Sequence, residues 1–320
     1  MTRYARQIML PEVGAEGQAK LTGARVLVVG CGGLAAPVLP LLAGAGVGRL
    51  TLVDGDVVSL SNLHRQTLFA EGDVGQSKAE CAARRCRALN PTITVEVVEA
   101  ALTPATAPGF LAATDIVLDC ADSYAVSYML SDLCQPRGVP LISASVLGLS
   151  GYVGGYCGGA PSLRAVFPGA PDNGASCATA GVLGPVVATL GAMQAQMALN
   201  CLLGLDPSPL GQVTQYDGRS LRTSGFRFDG APEPDLSFAF AARDDLTSRD
   251  MIVELRGVDE APVPLHPDAQ RLTPDTITTL PRSRARLALC CATGLRAWRA
   301  AETISETWPG EIVLVAASAS

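Results

Sequence analysis

Apolar and polar positions fall in short blocks along the chain. Arg25 to Gly30 (RVLVVG), with apolar Val26 to Val29 at its centre, predicts a short buried strand, and Arg49 to Asp54, Asp115 to Asp119 and Val139 to Ser145 read as further strands. Thr92 to Val98 is β-branched and strand-like. Helical patterns separate these runs. An apolar helix extends to about Ala45, and a second covers Lys78 to Leu89, where alanines and arginines alternate with apolar positions until Asn90-Pro91 stops it. Strands alternating with helices predict a doubly wound, mainly parallel α/β sheet covered on both faces.

After Gly148 the pattern changes. Glycine-punctuated short strands run to Phe167, and a polar, turn-rich stretch from Pro168 to Ser176 reads as a mobile loop. Thr179 to Leu203 reads as a long apolar helix, and Val213 to Phe228 as a hairpin that adds an antiparallel extension. Ala231-Pro-Glu-Pro-Asp235 reads as a linker. It divides the chain into a domain over 1–235 and a small α/β domain over 240–320, the latter with strands at Met251 to Leu255, Leu287 to Cys291 and Ile312 to Ala316.

Composition narrows the class. Hydrophobic residues make up 48% of the 320 positions and charged residues 17%, enough apolar surface for a sizeable core. A net charge of −6 with no basic block argues against a nucleic-acid partner, whose phosphates demand a positive surface. With no run of 18 uncharged apolar residues and no signal-peptide core, the expectation is a cytoplasmic chain without a membrane span. The ten cysteines form no C-x-x-C pair and sit mostly in apolar or helical surroundings, so they read as free thiols. Only His64 and His266 are present, which disfavours a histidine-based zinc site.

The candidate chemistry lies at the predicted strand ends. Gly30-Cys-Gly-Gly-Leu-Ala35 follows the first strand and opens a helix, where glycines let backbone approach phosphate and the helix N-terminus attracts negative charge. Alone this fits a Rossmann-like dinucleotide fold, with Asp54 placed to read a ribose hydroxyl, so an NAD enzyme is a rival. The next segments shift the balance. Asp54 to Gln66 carries Asp54, Asp56, Ser59, Ser61, Asn62 and Arg65, Lys78 stands at a helix start, and Asp119-Cys-Ala-Asp122 ends the fourth strand. Arg65 and Lys78 suit a triphosphate and Asp122 suits Mg²⁺. Each charge alone fits a solvated loop, but their joint occurrence at strand C-termini does not.

Arg3-Tyr-Ala-Arg-Gln7, the Gly30 turn, Ser59-Leu-Ser-Asn-Leu-His-Arg-Gln66, Gly75-Gln-Ser-Lys78, Asp119-Cys-Ala-Asp122 and Cys177-Ala-Thr-Ala-Gly-Val-Leu-Gly-Pro185 together resemble the ThiF/MoeB family, bacterial relatives of ubiquitin-activating enzymes, over roughly residues 1 to 228. The resemblance implies adenylation of the C-terminal carboxylate of a small ubiquitin-like sulfur-carrier protein ending in Gly-Gly, with ATP and Mg²⁺, and a sulfur donor of the cysteine desulfurase type. It implies that Gly32, Gly33, Asp54, Asp56, Ser61, Asn62, Arg65, Gln66, Lys78, Asp122 and Ser123 line the nucleotide site. It also implies a homodimer in which Arg6 reaches the neighbour's ATP. Where the family often has asparagine after the aspartate, Ser123 stands here.

The sequence departs from this pattern elsewhere. Many family members hold a structural zinc with two C-x-x-C pairs; here Ser162, Ala165, Ala231 and Pro234 stand at those positions, so no zinc is expected. Cys177 matches a family cysteine that can bond covalently to the carrier, and a thiolate near a helix N-terminus is favoured. Cys291-Ala-Thr-Gly-Leu-Arg296 resembles the C-x-x-G-x-R loop of rhodanese sulfurtransferases. Val253-Glu-Leu-Arg256 stands where that family's D-x-R would fall, and no G-H-I-P-G stretch is recognisable, so a remnant that only packs against the first domain is an alternative to an active one. Besides the NAD oxidoreductase, the rival readings are adenylation of a small molecule, a peptide or a tRNA base carboxylate, and a silent binding module. The Cys177-to-Pro185 run leans toward thiamine over molybdopterin supply.

Overall fold

The first buried run, β1 (Arg25–Val29), is the middle strand of the five-stranded parallel part of an eight-stranded sheet in this computed structural model, which describes residues 3–169 and 181–317. On one side lie β2 (Arg49–Val53) and β3 (Thr94–Val98); on the other lie β4 (Ile116–Asp119) and β5 (Pro140–Leu147), all five parallel. The chain leaves β1 in one direction and returns from β3 to β4 on the other side. The order therefore reverses between β1 and β4, where a crevice opens at the strand C-termini. Val29 is in register with both Val53 and Asp119, so Gly30, Asp54 and Cys120 emerge side by side.

From β5 the sheet continues antiparallel through β6 (Ser150–Cys157), β7 (Gln212–Asp217) and β8 (Arg222–Arg227), the expected extension. The short strands expected after Gly148 prove to be one eight-residue strand followed by a single-turn helix, Leu163–Val166. The long apolar helix, expected from Thr179, spans Gly184–Leu203. Leu183 is extended and Pro185 lies in the first turn, the position proline tolerates, while Val182 bridges Gly148. This helix is long and apolar enough to cross a membrane by length and composition alone, yet Val186, Val187, Leu190 and Ala198 bury against the sheet. Helices Ala35–Ala45 and Lys78–Leu89 pack on the same face.

Residues 239–316 form a second, fully parallel sheet in the order Gln270–Arg271, Met251–Glu254, Leu287–Cys291, Ile312–Ala316, Ala239–Phe240. Helix Leu295–Ser305 lies against it. The hydrophobic core does not stop at the linker. Leu27, Val117 and Leu141 of the large sheet, Tyr128 and Met129 of helix Tyr124–Cys134, and Trp298, Leu289 and Ile304 of the C-terminal half belong to one contiguous cluster.

Candidate functional site

The glycine turn is built by close approach. Gly30 has φ +86°, and a Cβ there would lie 2.8 Å from the Cys120 carbonyl oxygen, so a side chain would separate the ends of β1 and β4. Beyond it, the Cys31 amide donates to Asp54 Oδ2 at 2.6 Å and the Asp56 amide donates to Asp54 Oδ1 at 2.7 Å. Asp54 thus ties the turn after β1 to the loop after β2. Burial pushes its carboxyl up while the two amides and Lys78 pull it back. From Asp56 the chain of contacts passes to Lys78, whose Nζ lies 2.7 Å from Asp56 Oδ2. Ser77 caps the helix that Lys78 begins by accepting from the Glu80 amide.

A 3-10 turn, Leu60–Asn62, supplies the second wall. The Asn62 carbonyl accepts from the Arg65 and Gln66 amides, which turns those side chains back toward the glycines. A Cβ on Gly33 would meet Val187 on one side and the Arg65 side chain on the other; one on Gly32 would meet the Gln66 amide nitrogen at 3.4 Å. Gln66 is buried, and its Oε1 has no hydrogen-bond partner among the described residues. A buried acceptor that the chain leaves unsatisfied fits a donor arriving with a ligand, such as a ribose hydroxyl. Arg65 Nη1 lies 2.8 Å from His64 Nε2, and Ser61 Oγ 3.1 Å from Ser59 Oγ.

The third wall follows β4. Asp119 is fully buried; its carboxylate accepts from Ser143 Oγ at 2.7 Å and from the Ala121 amide at 3.2 Å. Burial pushes its carboxyl up to about 6 despite hydrogen bonds from Ser127 and Ser143. Asp122 is exposed at the mouth of the crevice, and Ser123 precedes the helix Tyr124–Cys134. The crevice thus brings together Gly32, Gly33, Asp54, Asp56, Arg65, Gln66 and Lys78 by direct contacts, with Ser61, Asn62, Asp122 and Ser123 on its flanking loops.

Arg6 does not join them. It is exposed on a four-residue helical turn, Ala5–Ile8, that Gln7 pins to Gln18 and Ala45. Cys177 lies outside the described residues. At the four positions compared with zinc ligands, the two segments are joined by different chemistry. Ser162 donates through both its amide and its hydroxyl to the Glu233 carboxylate, which also accepts from Gln135 Nε2. Cys291 ends its strand with its Sγ accepting from the Gly294 amide at 3.1 Å and the Ala297 amide at 3.4 Å, but it is only 1% exposed. Arg296 pairs with Glu260 while staying within interaction range of the Cys291 side chain. In the Val253-Glu-Leu-Arg256 segment, Glu254 is buried and accepts from Arg256 and the Leu265 amide, which outweigh burial and hold its carboxyl below the usual range.

Gln194 was not among the sequence candidates. Buried within the long helix, it donates to the carbonyls of Asp119 (2.7 Å) and Ile142 (3.0 Å), fixing the end of β4. A glutamine inside an apolar helix was its visible signal. Glu233 and Arg164 also carry structure that spacing alone does not disclose.

The family model described as ThiF family matches residues 4–237. Among curated proteins, the bovine (Bos taurus) adenylyltransferase and sulfurtransferase MOCS3 is 47% identical over 67% of this chain, and the match spans 48% of that protein. The SAMP-activating enzyme E1 of Haloferax volcanii is 41% identical over 69% of this chain and 83% of its own length. The chain thus spans about half the length of the bovine relative. Among solved structures, E. coli MccB with ATP aligns at a TM-score of 0.62 over 71% of this chain and 72% of its own, with 23% identity, a likeness of fold.

Proposed function

Since the chain belongs to the ThiF family, we propose that it uses ATP to adenylate the C-terminal glycine carboxylate of a small ubiquitin-like sulfur-carrier protein. The observation that carries this reading is the continuous contact from the glycine turn through Asp54 and Asp56 to Lys78, with Arg65 against Gly33 in the same crevice. Hydride transfer gives no reason to gather those cations there. The relatives named adenylyltransferase and SAMP-activating enzyme support the reading.

In this reaction a carboxylate oxygen of the carrier attacks the α-phosphorus of ATP, an acyl–phosphate bond forms, and pyrophosphate leaves with the electron pair of the broken bond. Both reactants are anions, so positioning and fixed positive charge do most of the catalysis. The Gly32–Gly33 backbone receives the phosphates, Lys78 and Arg65 neutralise them, and Gln66 and Asp54 face the ribose. Asp122 would hold Mg²⁺, which would supply charge to shield the departing pyrophosphate. Arg6, free of partners among the described residues, serves the neighbouring subunit of a homodimer. Ser162, Ala165, Ala231 and Pro234 offer zinc no ligand set.

The test is ATP–pyrophosphate exchange with a panel of Gly-Gly-ended carriers. Exchange dependent on one carrier supports the proposal. No exchange with any of them, together with tight NAD binding, overturns it.

A further inference from the structure

Helix Tyr124–Cys134 begins two residues after Asp122, and one stripe of it faces the C-terminal half. Tyr124, Tyr128 and Asp132 recur every four residues, so they share a face. The Trp298 ring, from the C-terminal helix, lies edge-on to Tyr128 with centroids 4.8 Å apart and 6.5 Å from Tyr124. Arg164 is laid over both Tyr128 (4.9 Å) and Trp298 (4.8 Å) while its guanidinium pairs with Asp132 at 2.6 Å. Phe240 adds an edge contact to Tyr124 at 6.3 Å. Gly294 has φ +90°, and a Cβ there would lie 2.7 Å from Phe240 and 2.9 Å from the Tyr124 hydroxyl oxygen. The first residue of the helix is therefore gripped by the loop that follows Cys291.

We infer that Tyr124 is a positioning residue for Asp122, and that the C-terminal half acts on the adenylation site through it. The exposed Asp122 hangs between two anchors. Upstream, Asp119 is fixed within the large sheet by Ser143 and the Ala121 amide. Downstream, Tyr124 is fixed by Gly294, Phe240 and Trp298, all from beyond the linker. A loop this short has little freedom once both ends are held, and a catalytic carboxylate displaced by about 1 Å can lose on the order of 10²-fold in rate. The inference rests on the proposed role of Asp122 at Mg·ATP. It gives the C-terminal half a part in adenylation that does not use the Cys291 thiol.

The experiment measures carrier-dependent exchange by the full-length chain as a function of Mg²⁺. Tyr124→Ala is expected to raise the Mg²⁺ half-saturation about 10-fold and lower kcat, while Tyr124→Phe, which keeps the ring, restores both. Gly294→Ala, pressing on Tyr124 and Phe240, is expected to act in the same direction and serves if Tyr124→Ala does not fold. Trp308→Ala, a packing change in the C-terminal half, is expected to lower Tm with unchanged Mg²⁺ dependence. If Tyr124→Ala and Gly294→Ala lower Tm but keep the wild-type Mg²⁺ half-saturation, the contact is packing alone and the inference falls. A wild-type chain inactive with every carrier takes down the proposed function itself.

Discussion

Lys78 Nζ and Asp56 Oδ2 are 2.7 Å apart, but the two side chains live in different surroundings: the lysine is 9% exposed and the aspartate 74%. The ammonium is held in place while the carboxylate is free to yield to an incoming phosphate. Lys78→Ala and Asp122→Ala are each expected to lower carrier-dependent exchange by about 10²-fold or more, with folding intact. Asp56→Asn is expected to cost less at neutral pH. Near-full activity in Lys78→Ala would remove the lysine from the phosphate site.

Much of this crevice was legible because its residues sit at the ends of apolar runs. Strands such as Leu287–Cys291 and Ile312–Ala316 and helix Lys78–Leu89 fall where periodicity puts them. The strands Ala239–Phe240 and Gln270–Arg271 did not, since two residues show no period. Nor did the start of the long helix, because Gly181, Val182 and Leu183 continue its apolar composition while their backbone is not helical. The contacts that join distant segments, Ser162 to Glu233 and Arg164 to Trp298, depend on the tertiary fold and leave no local trace.

The Ser162–Glu233 junction makes a metal prediction. The chain purified without chelator is expected to hold far less than one zinc per molecule by elemental analysis, and EDTA should leave its Tm unchanged. Glu233→Gln weakens the acceptor of the Ser162 amide and hydroxyl. It is expected to cost about 1 kcal/mol of stability, since the site is partly solvated. One bound zinc per chain would contradict both statements.

Asp119 makes a pH prediction. Burial raises its native carboxyl to about 6, above the value of about 3.9 in an unfolded chain. The native state therefore holds this proton more tightly, so the stabilisation is full below about pH 4 and is lost as pH rises through about 6. Other carboxylates, such as Asp115 beside Arg25, are held below the usual range and slope the opposite way, so the comparison must be with Asp119→Asn. The stability of the wild type minus that of the variant is expected to fall by on the order of 2–3 kcal/mol between about pH 4 and pH 7. A flat difference would mean that the carboxyl titrates normally.

Arg6 makes a prediction about assembly. It is exposed on a turn whose neighbours Tyr4 and Gln7 are tied down, Tyr4 to Asn90 and Gln7 to Ala45, so the guanidinium is presented outward from a fixed base. Arg6→Ala and Asp122→Ala chains are each expected to be inactive. Mixed under conditions of demonstrated subunit exchange, they should regain part of the activity, because one site of the mixed dimer has both residues. Absence of recovery would place Arg6 outside the partner's site.

The last prediction separates the two candidate sulfur cysteines. In the sequence Cys177 follows a polar, turn-rich stretch and precedes the long helix, and the family resemblance makes its thiolate the candidate to attack an acyl-adenylate. Cys291 has the amide cradle suited to a sulfur anion, yet it is 1% exposed and its loop is pressed against Tyr124 and Phe240. A donor protein cannot reach it unless the C-terminal helix and the helix beginning at Tyr124 part. Cys177→Ala is therefore expected to keep pyrophosphate exchange and to lose most thiocarboxylate formation when a persulfide donor and a thiol reductant are supplied. Cys291→Ala should keep exchange as well. In the native protein Cys291 should resist alkylation by iodoacetamide, and mild denaturant should expose it. Thiocarboxylate formed at the wild-type rate by Cys177→Ala but not by Cys291→Ala would reverse the assignment and show that the buried loop opens during turnover. If both variants transfer sulfur normally, neither thiol carries it and Cys291 contributes packing alone.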